Sequence, residues 1–255
     1  MISELKRLSR VVIKVGTAVL AGESGRLDRE MISWLAEGVE RLRTDVTDVA
    51  IVSSGAIAAG MEKLGMSSRP CNLEELQAVA SVGQGLLMHI YSEIMGSRGL
   101  SVGQVLITQS NLTHRQQYLN ARHTLERLFE MGVVPVVNEN DTVATEEITF
   151  GDNDTLAALL ASLIRADLLV LLTDTEGLYT EDPRGRDKGK LISRVERITP
   201  DIERMAGEAG SRLASGGMSS KVQAAKIAVL GGVHVVIADG RSPEAFKNII
   251  AGEPA

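Results

Sequence analysis

Short runs of β-branched and apolar residues alternate along this chain with longer segments of helical periodicity. This alternation is typical of a mostly parallel sheet with helices on both faces, because a crossover between parallel strands has room for a helix. It predicts an α/β fold, a three-layer α/β/α sandwich with a mostly parallel central sheet. The predicted strands are residues 11–15, 49–53, 102–107, 133–138, 168–173 and 233–238. The predicted helices are residues 28–43, 73–98, 118–130, 154–164, 219–230 and 243–251, with a further helical run from Ala56.

The chain is expected to form one domain. Its 255 residues, of which 44% are apolar, can bury one full core, and no linker-like segment divides them. Gly83, Gly85 and Gly96 predict a kink or break in the second long helix. Residues 179–190 read YTEDPRGRDKGK, which predicts an exposed, flexible flap or hairpin.

Charge and cysteine content exclude some classes of function. The formal net charge is −6, whereas a nucleic-acid binder needs a concentrated basic surface. Cys71 is the single cysteine and cannot form an intramolecular disulfide, and the first residues lack the apolar stretch of a signal peptide. No apolar run approaches the ~20 residues that span a bilayer. We therefore expect a cytoplasmic protein that binds neither nucleic acid nor membrane.

Lys14 stands at the end of the first predicted strand, in IKVGT, and Gly16 follows it. A glycine lets backbone amides approach a phosphate, so the pair suggests a lysine directed at a phosphate-sized space. The plain alternative is an edge-strand lysine whose ammonium group reaches solvent. In IVSSGAIAAG, Ser54 and the following amides could hold a carboxylate at a helix N-terminus, or Ser54 could simply cap that helix.

Two loops around a strand end and a helix start carry many short polar side chains. These are Asn138, Asn140, Asp141, Asp152, Asn153 and Asp154. Polar groups in an apolar stretch need partners, and an ammonium group or the lysines are natural ones. Asp152 or Asp154 could instead be a helix cap, and a metal site is a competing interpretation, although Mg²⁺ usually relies on few protein carboxylates.

The segment ASGGMSSKVQAAK places Lys221 in the first turn of a helix. A lysine there opposes the helix dipole, which points to an anion nearby, and the spacing differs from that of a Walker-A loop. The alternative is a surface lysine after a glycine turn. Thr173 and Asp174 follow a buried strand and are expected at its carboxyl-end crevice, or in an ordinary turn. Cys71 and the four histidines show no ligand spacing.

Taken in this order, these elements resemble the amino-acid kinase family, with its carbamate kinase-like fold. The resemblance is carried by IKVGT, VSSGAIAAG, NENDTV, GDNDTLAA, LLTDTEGLYTEDPR and SGGMSSK, and runs from about residue 11 to about residue 239. Acetylglutamate and uridylate kinases place a glycine-richer loop where this chain has Ser53, Ser54 and Gly55. The chain is therefore most similar to the glutamate-phosphorylating branch of the family.

The resemblance implies roles for individual residues. Lys14 and Lys221 would contact the transferring phosphoryl group, and Asp154 would orient them. Glutamate would bind to Ser54, Asp141 and Asn153. The nucleotide would bind to Lys14, Gly16, Thr173, Asp174, Ser215, Gly216, Gly217, Met218, Ser219, Ser220 and Lys221. Ser215 and Ser220 replace threonines that are common in the family, and both keep the hydroxyl. The protein ligands of Mg²⁺ stay unassigned.

The activity so implied is attack of the glutamate γ-carboxylate on the γ-phosphate of ATP, with Mg²⁺, as the first step of proline biosynthesis. The part before about residue 165 would bind mainly glutamate and the part after it mainly nucleotide. Proline would be a feedback inhibitor, the chain would form a homodimer or homotetramer, and glutamyl phosphate reductase would be a functional partner. Many family members carry a C-terminal PUA domain, for which this chain has no room.

Three other interpretations stay open at this point. The chain could be another family member, acting on acetylglutamate or a different small acid, or a catalytically silent sensor of nucleotide or amino acid. It could also be an interaction protein whose glycine loops are only structural. The presence of both lysines and Asp154 argues against a silent sensor.

Overall fold

The computed structural model describes residues 8–21, 26–45, 48–143, 153–181, 189–208, 217–242 and 246–249. The strands are β1 (Arg10–Val15), β2 (Asp48–Ser53), β3 (Val102–Ile107), β4 (Val134–Glu139), β5 (Leu168–Thr173) and β6 (His234–Asp239). The helices are α1 (Thr17–Leu20), α2 (Arg29–Asp45), α3 (Ala56–Leu64), α4 (Leu73–Gly96), α5 (Gln109–Thr113), α6 (Arg115–Glu130), α7 (Asn153–Leu163), α8 (Pro200–Glu208) and α9 (Met218–Leu230). A 3₁₀ turn covers Asp141–Val143.

The six strands form one parallel sheet in the order β3-β4-β2-β1-β5-β6. β1 lies in the middle, and its last residue, Val15, stands opposite Ser53 of β2 and Leu172 of β5. The carboxyl ends of these three strands therefore lie side by side. The prediction of a mostly parallel α/β sheet is confirmed.

The sheet has a hydrophobic core on each face. Val11, Ile13 and Val15 of β1 contribute to one core, which includes residues of α2 and α4, while Val12 contributes to the other, with residues of α6, α7 and α9. Since side chains alternate across a strand, a strand covered on both faces is an almost continuous apolar run. Lys14 shares the face of Val12 and is the polar interruption of that run.

Each predicted strand lies within one residue of the observed strand, but some helices differ from the predictions. α1, α5 and α8 were not predicted, and of the predicted helix 243–251 the structure describes residues 246–249, which are helical. The predicted flap falls mostly outside the described residues, at 182–188. At its ends, Tyr179 and Leu191 form an antiparallel bridge.

Of the kink or break predicted for α4, the break is wrong, because the helix runs without interruption for 24 residues. Gly83 instead allows α4 to pack closely against α3. A Cβ atom at Gly83 would lie 1.8 Å from the carbonyl oxygen of Ala56, and one at Gly60 would lie 2.0 Å from that of Val79. Among the described residues, no helix combines the length and apolar character needed to cross a membrane.

Candidate active site

The strand order reverses direction at β1, since the chain adds β2, β3 and β4 on one side and β5 and β6 on the other. In open α/β sheets such a switch point opens a crevice at the carboxyl ends of the strands. The crevice is tied together by backbone bonds: the Ser54 amide donates to the Val15 carbonyl (3.1 Å), and the Gly16 amide donates to the Leu172 carbonyl (3.2 Å). The predicted site residues on β1, β2 and β5 thus meet at one place.

Lys14, Asp154 and Lys221 form a buried cluster beside this crevice. The Nζ atom of Lys14 forms an ion pair with Oδ1 of Asp154, and Nζ of Lys221 lies 3.2 Å from Oδ2 of the same carboxylate. All three residues are nearly inaccessible, with 4%, 0% and 5% of their surface exposed in sequence order. The Ser220 hydroxyl lies 3.2 Å from Oδ2 of Asp154 and 2.8 Å from the Gly217 carbonyl oxygen, and its single hydrogen can bond to either acceptor. One carboxylate therefore holds two ammonium groups, and the cluster keeps one excess positive charge.

The structure decides between the interpretations that the sequence left open for these residues. The edge-strand interpretation of Lys14 is wrong because β1 is central and Lys14 is buried. The surface interpretation of Lys221 is wrong for the same reason of burial. Asp154 lies in the first turn of α7, but its carboxylate pairs with the lysines, so the helix-cap interpretation does not describe it. Asp152 lies outside the described residues.

Lys221 occupies the first turn of α9, where a cation opposes the helix dipole by about 0.3–1 kcal/mol. The anion that the sequence pointed to is Asp154, which itself lies favourably at the N-terminus of α7. α7 and α9 thus bring their N-terminal ends to the same point, and free backbone N–H groups at such ends favour an anionic ligand.

Ser54 and Asn153 are in direct contact on the other side of β1. The Nδ2 atom of Asn153 lies 3.1 Å from Ser54 Oγ, 3.2 Å from the Ser53 carbonyl oxygen and 2.9 Å from Asn138 Oδ1. The N-cap residue of α3 is Gly55, with φ of 96°, and it makes no side-chain cap. The interpretation of Ser54 as a helix cap is therefore wrong, and its hydroxyl is engaged with Asn153.

Asp141 begins the 3₁₀ turn that follows β4. Burial raises the pKa of the Asp141 carboxyl above its ordinary value, and the nearby charge of Arg69 opposes that rise. A carboxylate that is costly to keep charged is stabilised by a bound cation. Asn140 makes a local hydrogen bond within the same loop: its Oδ1 accepts from the Thr142 hydroxyl at 2.6 Å.

The ends of β5 and β6 form the far wall of the crevice. Thr173 donates its hydroxyl to Asp174 Oδ1 (3.2 Å), and its carbonyl accepts from the Gly240 amide (2.7 Å). Arg241 donates from Nη2 to the Asp174 carbonyl (2.5 Å). Gly217 is the N-cap of α9, and Met218 and Ser219 begin the helix. Ser215 and Gly216 lie outside the described residues.

Gly16 lies directly beside Lys14. Its φ is −75°, so no backbone constraint requires glycine, and a Cβ atom would be in ordinary contact with the Leu172 carbonyl oxygen (3.5 Å) and with Lys14 Nζ (3.8 Å). A side chain at this position would therefore lie next to the ammonium group. Among the described residues, no group of three or more His, Cys, Asp and Glu side chains could hold a metal ion.

Two polar residues of the site's surroundings were not singled out in the sequence. Gln84 and Tyr91 of α4 are buried, and they hydrogen-bond to Asn138 and Ser53 respectively. Their signal was present, since Leu87, in the buried stripe of α4, lies three positions after Gln84 and four positions before Tyr91. A polar residue within such a stripe indicates a buried hydrogen bond.

Comparison with known proteins identifies the family of this chain. Residues 9–239 match the model of the Amino acid kinase family. Proteins named glutamate 5-kinase are similar along nearly the whole chain: that of Moorella thermoacetica is 48% identical over 98% of this chain and 66% of its own length. The one from Deinococcus radiodurans is 49% identical over 96% of this chain and 67% of its own length. The chain thus spans about two thirds of the length of these curated relatives.

A solved structure supports the fold assignment. The crystal structure of UMP kinase from Ureaplasma parvum superimposes with a TM-score of 0.64, covering 97% of this chain and 96% of that one. The two sequences are 16% identical. At that identity the likeness concerns the fold alone.

Proposed function

Since this chain belongs to the amino acid kinase family, we propose that it transfers the γ-phosphoryl group of ATP to the side-chain carboxylate of L-glutamate. The products are γ-glutamyl 5-phosphate and ADP, the first step of proline biosynthesis. The observation that carries the proposal is the buried cluster in which Asp154 holds Lys14 and Lys221 at the switch point of the sheet. The names of the relatives supply the substrate.

The cluster suits phosphoryl transfer because such a reaction asks mainly for positioning and for neutralisation of charge on the transferring group. Asp154 keeps the two lysines close together although they repel each other. The remaining positive charge lies beside Gly16, which places no side chain next to Lys14. Lys14 and Lys221 would meet the γ-phosphate there, and Asp154 would keep their ammonium groups aligned.

The nucleophile needs no general base. A glutamate side chain has a reference pKa of about 4.3 and is ionised at neutral pH. One of its carboxylate oxygens forms the new bond to phosphorus while the bond to the bridging oxygen breaks, and that electron pair leaves with ADP. Catalysis therefore consists of holding the two anionic reactants in line within a positive environment.

We assign the two substrates to opposite sides of β1. Ser54, Asp141 and Asn153 would bind glutamate, with the Asp141 carboxylate facing its α-ammonium group. Gly16, Thr173, Asp174 and the start of α9, with Gly217, Met218, Ser219 and Ser220, would bind ATP, and Ser215 and Gly216 would extend that loop. In this assignment the part before about residue 165 serves mainly glutamate and the remainder mainly nucleotide.

Magnesium fits this site as an ion carried by the nucleotide. Asp154, the buried carboxylate nearest to the phosphoryl position, is already paired with two lysines. The described residues also offer no three-ligand group, and Mg²⁺ commonly binds through substrate phosphates with few protein ligands. When bound, the ion would neutralise phosphate charge in addition to the lysines.

A second candidate substrate is N-acetylglutamate, or another small acid, since related kinases share the fold. Asp141 favours glutamate over these other acids. Its carboxyl group has a raised pKa, so an ammonium partner would stabilise the charged carboxylate, and N-acetylglutamate lacks that ammonium group. A catalytically silent sensor is disfavoured by the charge arrangement. Two buried lysines on one carboxylate destabilise the folded protein. Binding of a phosphate would explain why the chain has such a cluster.

The experiment that tests the proposal is ADP release by the purified chain with MgATP and one acceptor at a time. Turnover is expected with L-glutamate and not with N-acetylglutamate or UMP, and it is expected to stop when Mg²⁺ is removed. Equal turnover with N-acetylglutamate or UMP would contradict the substrate assignment. No turnover with any acceptor would favour the sensor.

Three further features belong to the same proposal. Proline carries an α-carboxylate and an α-amino group like those of glutamate, so it would compete at the glutamate site as a feedback inhibitor. The chain would act as a homodimer or homotetramer, and glutamyl phosphate reductase would consume the reactive acyl phosphate. ATP and glutamate are both abundant in the cytoplasm, which is therefore the compartment that we propose.

A further inference from the structure

We infer that helix α4 positions the glutamate site through two buried polar side chains, Gln84 and Tyr91. The inference rests on the function proposed above. The two residues lie seven positions apart, which is about two helical turns, so both point from the same face of α4. Gln84 is hydrogen-bonded to the end of β4 and Tyr91 to the end of β2. The two strand ends that flank Asn153 and Ser54 are thus attached to one helix.

The bond of Gln84 has a defined direction. The backbone N–H of Glu139 donates to Asn138 Oδ1 at 2.9 Å, which makes this atom the acceptor of the Asn138 amide. Asn138 Nδ2 therefore faces Gln84 and donates to its Oε1, also at 2.9 Å. Asn138 Oδ1 in turn accepts from Asn153 Nδ2 at 2.9 Å. A single backbone N–H thereby sets the orientation of three side-chain amides.

Stability alone does not account for Gln84. Its Nε2 atom is buried without a hydrogen-bond partner among the described residues, and an unpaired buried donor destabilises the folded state. Because this atom has almost no accessible surface, it cannot touch a substrate in this conformation. Gln84 is therefore a positioning residue, which acts on the site through Asn138.

The bond of Tyr91 reaches the end of β2. The Tyr91 hydroxyl lies 3.0 Å from Ser53 Oγ, either group can donate in this bond, and Ser53 Oγ also lies 3.0 Å from the Ser54 carbonyl oxygen. Burial raises the pKa of Tyr91 to about 12, against a smaller opposing effect of the Ser53 hydrogen bond, and the phenol keeps its proton at neutral pH. Tyr91 thus anchors the backbone that carries Ser54.

Both chains of hydrogen bonds meet at Asn153. Its Nδ2 group has two hydrogens and lies within 3.2 Å of three acceptors, which belong to Asn138, Ser53 and Ser54. With the amino side of the amide held in this way, its Oδ1 side is directed away from these acceptors. In the proposed function, this oxygen would serve as an acceptor for the α-ammonium group of glutamate. Loss of either anchor should therefore weaken glutamate binding and spare ATP binding.

The test compares Gln84→Met and Tyr91→Phe with the wild-type chain by steady-state kinetics and thermal unfolding. Each variant is expected to raise KM for glutamate by about 10-fold or more, because small displacements of a positioned group are costly. KM for ATP should change less than about 2-fold, because neither substitution alters the proposed ATP site. Gln84→Glu retains an oxygen acceptor for Asn138 and should recover most of the loss.

Tyr118→Phe is the matched control, since it removes one hydroxyl from a partly buried tyrosine on α6, in the opposite core. It should leave both KM values unchanged. Because the two anchors converge on Asn153, the Gln84→Met and Tyr91→Phe double variant should lose less than the product of the two single effects.

The inference is overturned if both single variants keep the wild-type KM for glutamate, or if KM for ATP rises equally. If Gln84→Met does not fold, Tyr91→Phe decides alone, because it removes one oxygen atom. Wild-type chain without glutamate-dependent turnover would overturn the proposed function itself. An active wild type with unaffected variants would overturn only the role of α4.

Discussion

Lys221 Nζ lies 3.2 Å from Oδ2 of Asp154, and neither residue exposes more than 5% of its surface. The carboxylate is shared with Lys14 on its other oxygen. Two cations on one anion leave a net charge of +1 in a buried place, and an anionic phosphoryl group would restore neutrality. In the proposed function, this arrangement would let a few charged side chains bind two anionic substrates in a chain whose overall charge is −6.

Replacing Asp154 by Asn should destabilise the fold. The substitution leaves two buried ammonium groups with no counterion between them, and breaking a buried ion pair on one side costs about 3–5 kcal/mol. For a chain of this size that corresponds to a fall in melting temperature on the order of 10 °C. Thermal unfolding measures the fall, and ATP should recover more of it in Asp154→Asn than it adds to the wild type. A melting temperature equal to that of the wild type would contradict the buried cluster.

Replacing Lys221 by Ala should spare the fold and cripple catalysis. Asp154 then keeps one lysine, and the net charge of the cluster falls from +1 to zero, so the change in melting temperature should be small. By analogy with a transition-state arginine, kcat should fall at least roughly 10²-fold, with KM for glutamate nearly unchanged. Lys226→Ala is the matched control on the same helix, at an exposed ion pair with Glu203. It should cost no more than about 0.5 kcal/mol.

The sequence predicted the sheet well because the four inner strands, β1, β2, β4 and β5, are buried along nearly their whole length and read as short apolar runs. β3 and β5 were predicted with their observed bounds, and the other strands differ by one residue. The short helices α1 and α5 were missed because four or five residues carry too little periodicity. α4 was predicted to break at its glycines because propensity favours a break, whereas close packing against α3 requires Gly83.

The candidate site was predictable only where a residue type is rare for its position. Lys14 interrupts an apolar strand and Lys221 opposes a helix dipole, so both could be predicted as site residues. Spacing along the chain did not identify the partner of Lys221, because Asp154 is 67 positions away and only the fold brings the two residues together. The family resemblance supplied Asp154 as the residue that orients both lysines. Gln84 and Tyr91 were overlooked because a single polar residue in a helix stripe gives no indication of its partner.

The two neighbouring glycines of α4 should respond to alanine in opposite ways. A Cβ atom at Gly83 would lie 1.8 Å from the Ala56 carbonyl oxygen and 2.3 Å from the Gly60 amide, whereas one at Gly85 meets nothing within 4 Å. Gly83→Ala should therefore lower the free energy of unfolding by at least roughly 1–3 kcal/mol. Gly85→Ala should raise it by about 0.5–1 kcal/mol, since alanine is the better helix former. Chemical denaturation of both variants measures the contrast, and equal effects would contradict the close contact of α3 and α4.

Asp141 should make glutamate binding depend on pH. Its pKa is raised by burial, so the folded protein holds the proton more tightly than the unfolded chain. The carboxylate form that would bind an ammonium group is lost as pH falls through this raised pKa, and KM for glutamate should rise there. As pH rises from the unfolded to the folded pKa, stability should fall, because the native state binds more protons. Asp141→Asn should therefore bind glutamate poorly and unfold at an equal or higher temperature at neutral pH. A wild-type KM that stays constant into the acid range would contradict this role of Asp141.

Proline should compete with glutamate. The proposed contacts of Ser54, Asp141 and Asn153 serve an amino acid's ammonium group and carboxylate, which proline also has. Proline is expected to raise KM for glutamate and to leave kcat unchanged, and the Asp141→Asn variant should be less sensitive to it. A rate at sub-saturating glutamate that is unaffected by saturating proline would rule out this form of control.

The central claim is that the phosphoryl group passes from ATP to the γ-carboxylate of glutamate beside Lys14 and Lys221. The most direct measurement traps the acyl phosphate with hydroxylamine and compares the γ-glutamyl hydroxamate formed with the ADP released. The wild-type chain should form the two products in equal amounts, and Lys221→Ala should lose both together while Lys226→Ala keeps both. Release of ADP without hydroxamate, or normal hydroxamate formation by Lys221→Ala, would contradict the account.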